Sequence, residues 1–179
     1  IKNILATIAV ISINYDVEIL NKKIFYDFTI PKGRGNIFKV KINNKIINII
    51  DESYNSNPLS LEFAISKINE MKMNPKNKKI LLGDMLELGS YSKKLHRDVA
   101  KILNKSSISK VYVYGNYIKE TFNKIKTQKK GRILKNKMQL QNFINSDLKN
   151  NDYLLVKGSN ATGLNNLISK IKIGKINAL

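Results

Sequence analysis

The 179 residues can form one well-packed core with a small appendage, but not two full domains. The chain has no cysteine and one histidine, His96, which excludes disulfides and argues against a thiolate or histidine metal site. No apolar run approaches the roughly 20 residues that span a bilayer, and the apolar start lacks the cleavage site of a secretory signal. We therefore expect no bound metal in this chain, no membrane insertion and a reducing compartment.

Basic residues outnumber acidic ones by 32 to 13, and the formal net charge is +19. A charge of this size is typical of nucleic-acid-binding proteins. Here the excess is nearly all lysine, is spread along the chain, and accompanies abundant isoleucine and asparagine, which A- and T-rich codons also encode. Arginine, the preferred two-pronged donor to phosphate and guanine, occurs only at Arg34, Arg97 and Arg132. We predict no nucleic-acid partner.

The first 32 residues are predicted to be helical. Apolar residues recur at helical spacing over 1–13, and a second short helix is expected over 16–23. The sequence "IPKGRGN" then carries Pro31, Gly33 and Gly35, which is typical of a linker or domain boundary.

The next segment predicts a β-hairpin followed by a helix. "IFKVKI" and "KIINIID" flank two asparagines at 43–44, a typical hairpin turn. Pro58 can occupy the first turn of a helix that Asn57 caps.

Strands and helices alternate over the rest of the chain. Strands are predicted over 78–84, 110–115, 132–134 and 152–158, and helices over 92–104, 117–125, 138–147 and 162–172. This alternation predicts an α/β fold with a doubly wound, mostly parallel sheet, which binds ligands at the carboxyl ends of its strands. The polar loops "DESYNSN", "GDMLELG", "GN" and "KGSN" all follow strands, so we expect them to line one edge.

The loop "DESYNSN" has the chemistry of a nucleotide site but not a complete catalytic set. A carboxylate at a strand end can accept the hydroxyls of a ribose, and carboxamides can pair with an adenine edge. Asn55 and Asn57 can equally be turn and cap residues. The chain has no G-x-x-x-x-G-K-[ST] phosphate loop, and "GRG" precedes a strand, unlike a dinucleotide fingerprint.

Four motifs in this order resemble the Mur ligases: "IIDESYNSNP", "LLGDMLELG", "LHRDVA" and "LLVKGSN". "NILATIAV" also resembles a late helix of that family's central domain, and "KGRGN" the segment before its C-terminal domain. The resemblance implies that residues 1–32 are the tail of a central ATPase domain. Residues 33–179 would be the Rossmann-like C-terminal domain.

The resemblance implies an ATP-dependent peptide ligase of peptidoglycan synthesis in the bacterial cytoplasm, acting as a monomer. The most similar members join D-alanyl-D-alanine to UDP-N-acetylmuramoyl-tripeptide through an acyl phosphate. The phosphate loop and the Mg²⁺ ligands would belong to the central domain, so this chain alone is expected to be inactive.

Site residues follow from the same resemblance. Arg34 matches an arginine that reaches the ATP phosphates and is the predicted catalytic residue. The predicted ATP-binding residues are Asn3, Arg34, Asp51, Tyr54, Asn55 and Asn57, and either Asp51 or Glu52 would hold the ribose. The predicted substrate-binding residues are Asp84, Met85, Glu87, Lys157 and Ser159.

Each assignment has a structural alternative. Arg34 could be a solvated linker charge, Asp84 a helix cap and Lys157 a surface lysine. His96 matches a family histidine on the helix after this loop, and a lone histidine there is more often structural than catalytic. After "KGS" the chain continues with "NATGLNN", where many members carry an arginine and methionines, so the substrate contacts of this loop stay open.

Two other functions remain as alternatives. The chain could be a free-standing nucleotide-binding α/β module, which an upstream phosphate-loop domain in the same reading frame would exclude. It could also be a basic nucleic-acid-binding domain, for which clustered lysines would be needed.

Overall fold

The computed structural model describes residues 2–17, 23, 26 and 29–174, without the side chains of Lys2 and Asn3. The chain divides into two compact units, Ile1–Ile30 and Pro31–Leu179. In the first unit, α1 (Lys2–Ile11) confirms the helix predicted from the apolar spacing. The helix predicted over 16–23 lies mostly outside the described residues. The assignment of residues 1–32 to a central domain stays a prediction.

The second unit is built on one six-stranded sheet. Its strands are β1 (Asn36–Ile42), β2 (Lys45–Glu52), β3 (Lys78–Gly83), β4 (Lys110–Tyr114), β5 (Lys130–Leu134) and β6 (Tyr153–Lys157). They lie in the order β1-β2-β6-β3-β4-β5, and only the β1–β2 pair is antiparallel. Ile42 pairs with Lys45, so Asn43 and Asn44 form the predicted two-residue turn. Asn43 adopts a φ of 49°, a conformation that asparagine tolerates better than most residues.

Helices cover both faces of the sheet. One face carries α2 (Pro58–Glu70), α3 (Ser92–Lys105) and α4 (Lys119–Lys124), and the other carries α5 (Lys137–Asp147) and α6 (Leu164–Lys172). Successive strand residues point to opposite faces, so Ile80 and Leu82 pack on the α2–α4 side while Leu81 packs on the α5–α6 side. This confirms the predicted doubly wound, mostly parallel sheet.

Two predicted boundaries differ from the structure. α4 is shorter than the helix predicted over 117–125, and β5 begins at Lys130 rather than Arg132. The early part of β5 contains Gly131, whose Cβ, if present, would lie 2.6 Å from a ring carbon of Tyr112. Close packing against Tyr112 therefore requires a glycine at position 131. Glycine has a low strand propensity, so the local sequence does not indicate that the strand already begins here.

The predicted cap of α2 is confirmed. The Asn57 side chain accepts from the Ser60 amide at 2.8 Å, and the Ser60 hydroxyl accepts from the Asn57 amide at 3.1 Å. This reciprocal capping box fixes the point at which the "DESYNSN" loop becomes helix. Within the part of the chain that the structure describes, no helix is both long and apolar enough to cross a membrane.

Candidate functional site

The loops that follow β2, β3 and β6 meet at one edge of the sheet, as predicted. Ser159, after β6, connects all three and is 5% exposed. Its amide donates to the Asp84 carbonyl at 3.0 Å, and its hydroxyl accepts from the Leu86 amide at 2.9 Å. The same hydroxyl donates to the Ser56 carbonyl at 3.4 Å. Ser159 therefore fixes the loops relative to each other.

A cleft of about 300 Å³ opens at this edge, on the α2 side. Its lining residues are Gly33, Arg34, Glu52, Tyr54, Asn55, Asn57, Ser60 and Lys157. Five of these come from or adjoin the "DESYNSN" loop, and Lys157 comes from the end of β6. The cleft therefore combines cationic, anionic, amide and aromatic groups in a volume suited to part of a small ligand.

The guanidinium of Arg34 lies over the ring of Tyr54, with its central carbon 4.3 Å from the ring centroid. The Tyr54 amide donates to the Gly33 carbonyl at 3.2 Å. Gly33 has a φ of 76°, and a Cβ there would lie 2.8 Å from the Tyr54 nitrogen. Only glycine fits this close approach without a shift of the backbone. The first glycine of "GRG" is therefore required for the segment to pack against the strand-end loop. Arg34 itself is exposed and contacts this loop through the Tyr54 ring, and its role at the ATP phosphates stays a prediction.

Asp51 and Glu52 face opposite sides of the sheet. The Asp51 carboxylate is buried and accepts from the Ser53 hydroxyl at 2.6 Å and the Ser53 amide at 3.2 Å. It borders a separate groove of about 290 Å³ against α6. The Glu52 side chain is 20% exposed, and its carboxylate lies on the α2 side, 3.8 Å from the Lys157 ammonium. Of the two acids, Glu52 is the one that lines the cleft with Arg34.

Lys157 is buried, so the alternative of a surface lysine is wrong. Its side chain is 2% exposed, and its ammonium donates to the Asn55 carbonyl at 2.9 Å. Burial lowers the pKa of Lys157, and the negative charge of Glu52 opposes that shift. Glu52 and Lys157 are paired neighbours in the β2–β6 register, which brings the two charges together.

The carboxamides predicted to bind nucleotide are engaged locally. The Asn55 side chain accepts from the Ser56 amide at 2.8 Å, and the Asn57 side chain caps α2. These contacts match the turn and cap roles, and the described part of the chain places no hydrogen-bond acceptor on the amide nitrogen of either side chain. The Asn3 side chain lies outside the described residues.

The loop 84–89 is held mainly by buried contacts. Asp84 accepts from the amides of Asn116 at 2.9 Å and Ile118 at 2.7 Å, so it fixes the loop after β4 instead of capping its own following helix. The Met85 side chain is fully buried in the core and is not open to a ligand. Glu87 is exposed and has a φ of 63°, which turns the loop sharply.

His96 is a buried structural contact of the same loop. Its Nε2 accepts from the Met85 amide at 2.9 Å, and its Nδ1 lies 2.7 Å from the Ser92 carbonyl. The carbonyl can only accept, so Nδ1 carries the proton. The imidazole therefore connects α3 to the loop after β3, which agrees with the structural role that the sequence favoured for His96.

The described residues contain no group of three or more histidine, aspartate or glutamate side chains that could hold a metal ion. Magnesium binding by another domain, as the resemblance implies, stays a prediction.

The family model of the Mur ligase, glutamate ligase domain, matches residues 33–160. The chain belongs to the Mur ligase family. Its second unit has the fold of the Mur ligase C-terminal domain. The UDP-N-acetylmuramoyl-tripeptide–D-alanyl-D-alanine ligase of Rickettsia prowazekii is 29% identical over 153 residues, which cover 86% of this chain and 32% of that protein. The protein of the same name from Buchnera aphidicola subsp. Baizongia pistaciae is 31% identical over 168 residues, 93% of this chain and 34% of that protein.

Solved Mur ligases share the fold. The MurF ligase from Thermotoga maritima, solved in complex with ADP, superposes with a TM-score of 0.68 at 22% identity, covering 98% of this chain and 38% of that one. MurF from Acinetobacter baumannii gives 0.64 at 21% identity, covering 81% and 31%. The chain thus spans about a third of the length of the curated relatives named above.

Proposed function

We propose that this Mur ligase chain is the C-terminal part of an ATP-dependent ligase that joins D-alanyl-D-alanine to UDP-N-acetylmuramoyl-tripeptide. The reaction would serve peptidoglycan precursor synthesis in the bacterial cytoplasm. Relatives with that name match most of the chain. The observation that carries the proposal is the cleft in which Arg34, Glu52 and Lys157 converge at the carboxyl edge of the sheet.

The cleft on the α2 side would cover the nucleotide. Arg34 presents an exposed cation that can stabilise charge developing on a transferred phosphoryl group. Glu52 is the better candidate for the ribose hydroxyls, because the Asp51 carboxylate is buried and bonded to Ser53. Asp51 would then shape the loop, and Asn55 would contribute its side-chain amide nitrogen.

The loops after β3 and β6 would face the amino-acid substrates. Glu87 presents an exposed carboxylate there, whereas Asp84 and Ser159 hold the backbone of these loops in place. A buried ammonium at Lys157 would fix the Asn55 carbonyl beside the nucleotide. The side chain of Met85 would support the loop from within the core.

The proposed chemistry proceeds in two steps. The terminal phosphoryl group of ATP passes to the tripeptide carboxylate, giving an acyl phosphate and ADP. The amine of the dipeptide then attacks the acyl carbon and loses a proton, the amide bond forms, and the bond from carbon to the bridging oxygen breaks, so that phosphate leaves with one of the former carboxylate oxygens. Arg34 would act in the first step, where negative charge accumulates on the phosphoryl oxygens.

The test is a phosphate-release assay on the complete gene product, with each substrate omitted in turn. Release should require ATP, the UDP-linked tripeptide and D-alanyl-D-alanine together, and mass spectrometry should find the pentapeptide product. Phosphate release that ignores the dipeptide would contradict the proposal.

Calorimetry on the 179-residue chain tests the free-standing alternative. A chain that supplies only one side of the nucleotide site should bind ATP with a dissociation constant of millimolar or weaker, about 4 kcal/mol or less of binding free energy. Micromolar binding would instead favour an independent nucleotide-binding module.

A further inference from the structure

We propose that Tyr54 is a positioning residue, whose ring face holds the guanidinium of Arg34 in place for the phosphoryl group. Its catalytic consequence rests on the proposed function, whereas the contact itself does not. The hydroxyl of Tyr54 is not required for this role.

Three contacts bind the "GRG" segment to the loop that carries Tyr54. The Gly33 carbonyl accepts from the Tyr54 amide, the Gly35 amide donates to the Asp51 carbonyl at 2.8 Å, and Arg34 lies over the ring. The backbone on both sides of Arg34, and the Arg34 side chain itself, are thus fixed to one strand-end loop. Arg34 would therefore move as part of this loop during any domain closure.

The aromatic contact matters because Arg34 is exposed and lies between two glycines. A long side chain on such a segment has many accessible rotamers, and ordering it on binding costs free energy. The ring restricts the guanidinium before the ligand arrives. This preorganisation removes part of the ordering cost from the reaction step.

The choice of an aromatic partner preserves the charge of Arg34. The other two arginines pair with carboxylates, Arg97 with Glu120 at 3.2 Å and Arg132 with Asp147 at 2.8 Å. For Arg34, the described residues place no carboxylate within 4 Å of the guanidinium. A ring attracts the cation through its quadrupole without adding an opposite charge, so the guanidinium keeps its net charge for an anion.

Nuclear magnetic resonance of the 179-residue chain tests the contact without reference to activity. Protons above an aromatic ring are shifted upfield, and only three arginine side-chain signals need assignment. The Arg34 signals should be upfield in the wild type and in Tyr54→Phe, and should return to ordinary values in Tyr54→Leu. Arg97 and Arg132 are internal controls. An unshifted Arg34 in the wild type would overturn the proposal whatever the enzyme does.

Kinetics of the complete gene product test the consequence. Tyr54→Leu should lower kcat about two- to fivefold, the value of an exposed cation–π contact, and Tyr54→Phe should recover most of that loss. In an Arg34→Ala background, Tyr54→Leu should have no further effect, because the residue acts through the arginine. Multiplicative losses with a raised KM for ATP would show instead that Tyr54 contacts the nucleotide itself. If the wild-type protein showed no ligase activity, the proposed function would be wrong. The contact between Tyr54 and Arg34, as tested by nuclear magnetic resonance, would be unaffected by that result.

Discussion

Replacement of His96 should destabilise the second unit strongly, because the imidazole holds a buried amide that has no other partner among the described residues. The ring is fully buried and joins the Met85 amide to the Ser92 carbonyl. In His96→Ala the Met85 amide would lose its acceptor, which costs about 1–3 kcal/mol. Removing most of a buried ring adds about 2 kcal/mol through lost packing and a residual cavity. We expect a loss of about 3–5 kcal/mol, a large part of a typical domain's stability.

Two conservative variants separate the contacts of His96. Glutamine can place an oxygen near the position of Nε2 and accept from Met85, whereas asparagine can reach only the position of Nδ1. The Ser92 carbonyl keeps its helical partner in either variant, since α3 runs from Ser92 to Lys105. His96→Gln should therefore be more stable than His96→Asn by about 1 kcal/mol or more.

The measurement is urea unfolding followed by circular dichroism, with Lys93→Ala, an exposed change on the same helix, as matched control. The control should stay within about 0.5 kcal/mol of the wild type. A His96→Ala variant that loses less than about 1 kcal/mol would refute the bridging role. Equal stability of the glutamine and asparagine variants would refute the importance of the bond from the Met85 amide to Nε2.

Four further outcomes are expected. In the complete gene product, Arg34→Ala should lower turnover roughly 100-fold or more, and Arg34→Lys should lower it less. The melting temperatures of both variants should be unchanged. Near-normal turnover of the alanine variant would show that Arg34 is only a surface charge. The wild type should gain stability relative to Lys157→Met as pH rises toward 10.5, the ordinary lysine value. The lowered pKa means that the unfolded chain holds more protons in that range, and parallel urea-midpoint curves would contradict this. Gly115→Ala should destabilise the chain by about 1–3 kcal/mol in urea unfolding, because its φ is 144° and a Cβ there would lie 2.4 Å from the Asp84 carboxylate. Binding to duplex DNA should be weak, indifferent to sequence and steeply salt-dependent; a tight sequence-specific complex at physiological salt would revive the nucleic-acid alternative.

The sequence alone was sufficient for the order and type of the main helices and strands of the second unit. The turn at Asn43 and Asn44, the cap at Asn57 and the alternation of apolar segments are local signals, each complete within a few residues. The rule that parallel strands present their loops at one edge then placed the polar motifs together. Where a local signal was weak, as at Gly131, the predicted boundary was off by two residues.

The environment of each polar side chain depended on contacts that are distant in sequence. Asp51 and Glu52 are adjacent, but alternation along β2 directs one toward α6 and the other toward the cleft on the α2 side. Which face carries the cleft depends on where the helices pack, which neither residue encodes. The sequence could therefore name two candidate acids but not choose between them.

Burial in the tertiary structure also distinguished polar side chains that hold the loops in place from those that a ligand can reach. Lys157 meets the carbonyl of Asn55, 102 residues away, and Asp84 meets amides 32 and 34 residues further along the chain. A buried charge or amide must find a partner, and the sheet order decides which loop supplies it. Residue types and spacing thus determined which chemistry gathers at this edge. The tertiary structure decided that Arg34 and Glu52 are open to the cleft, that the buried Lys157 supports it, and that Asp84 and His96 fix the neighbouring loops after β3 and β4.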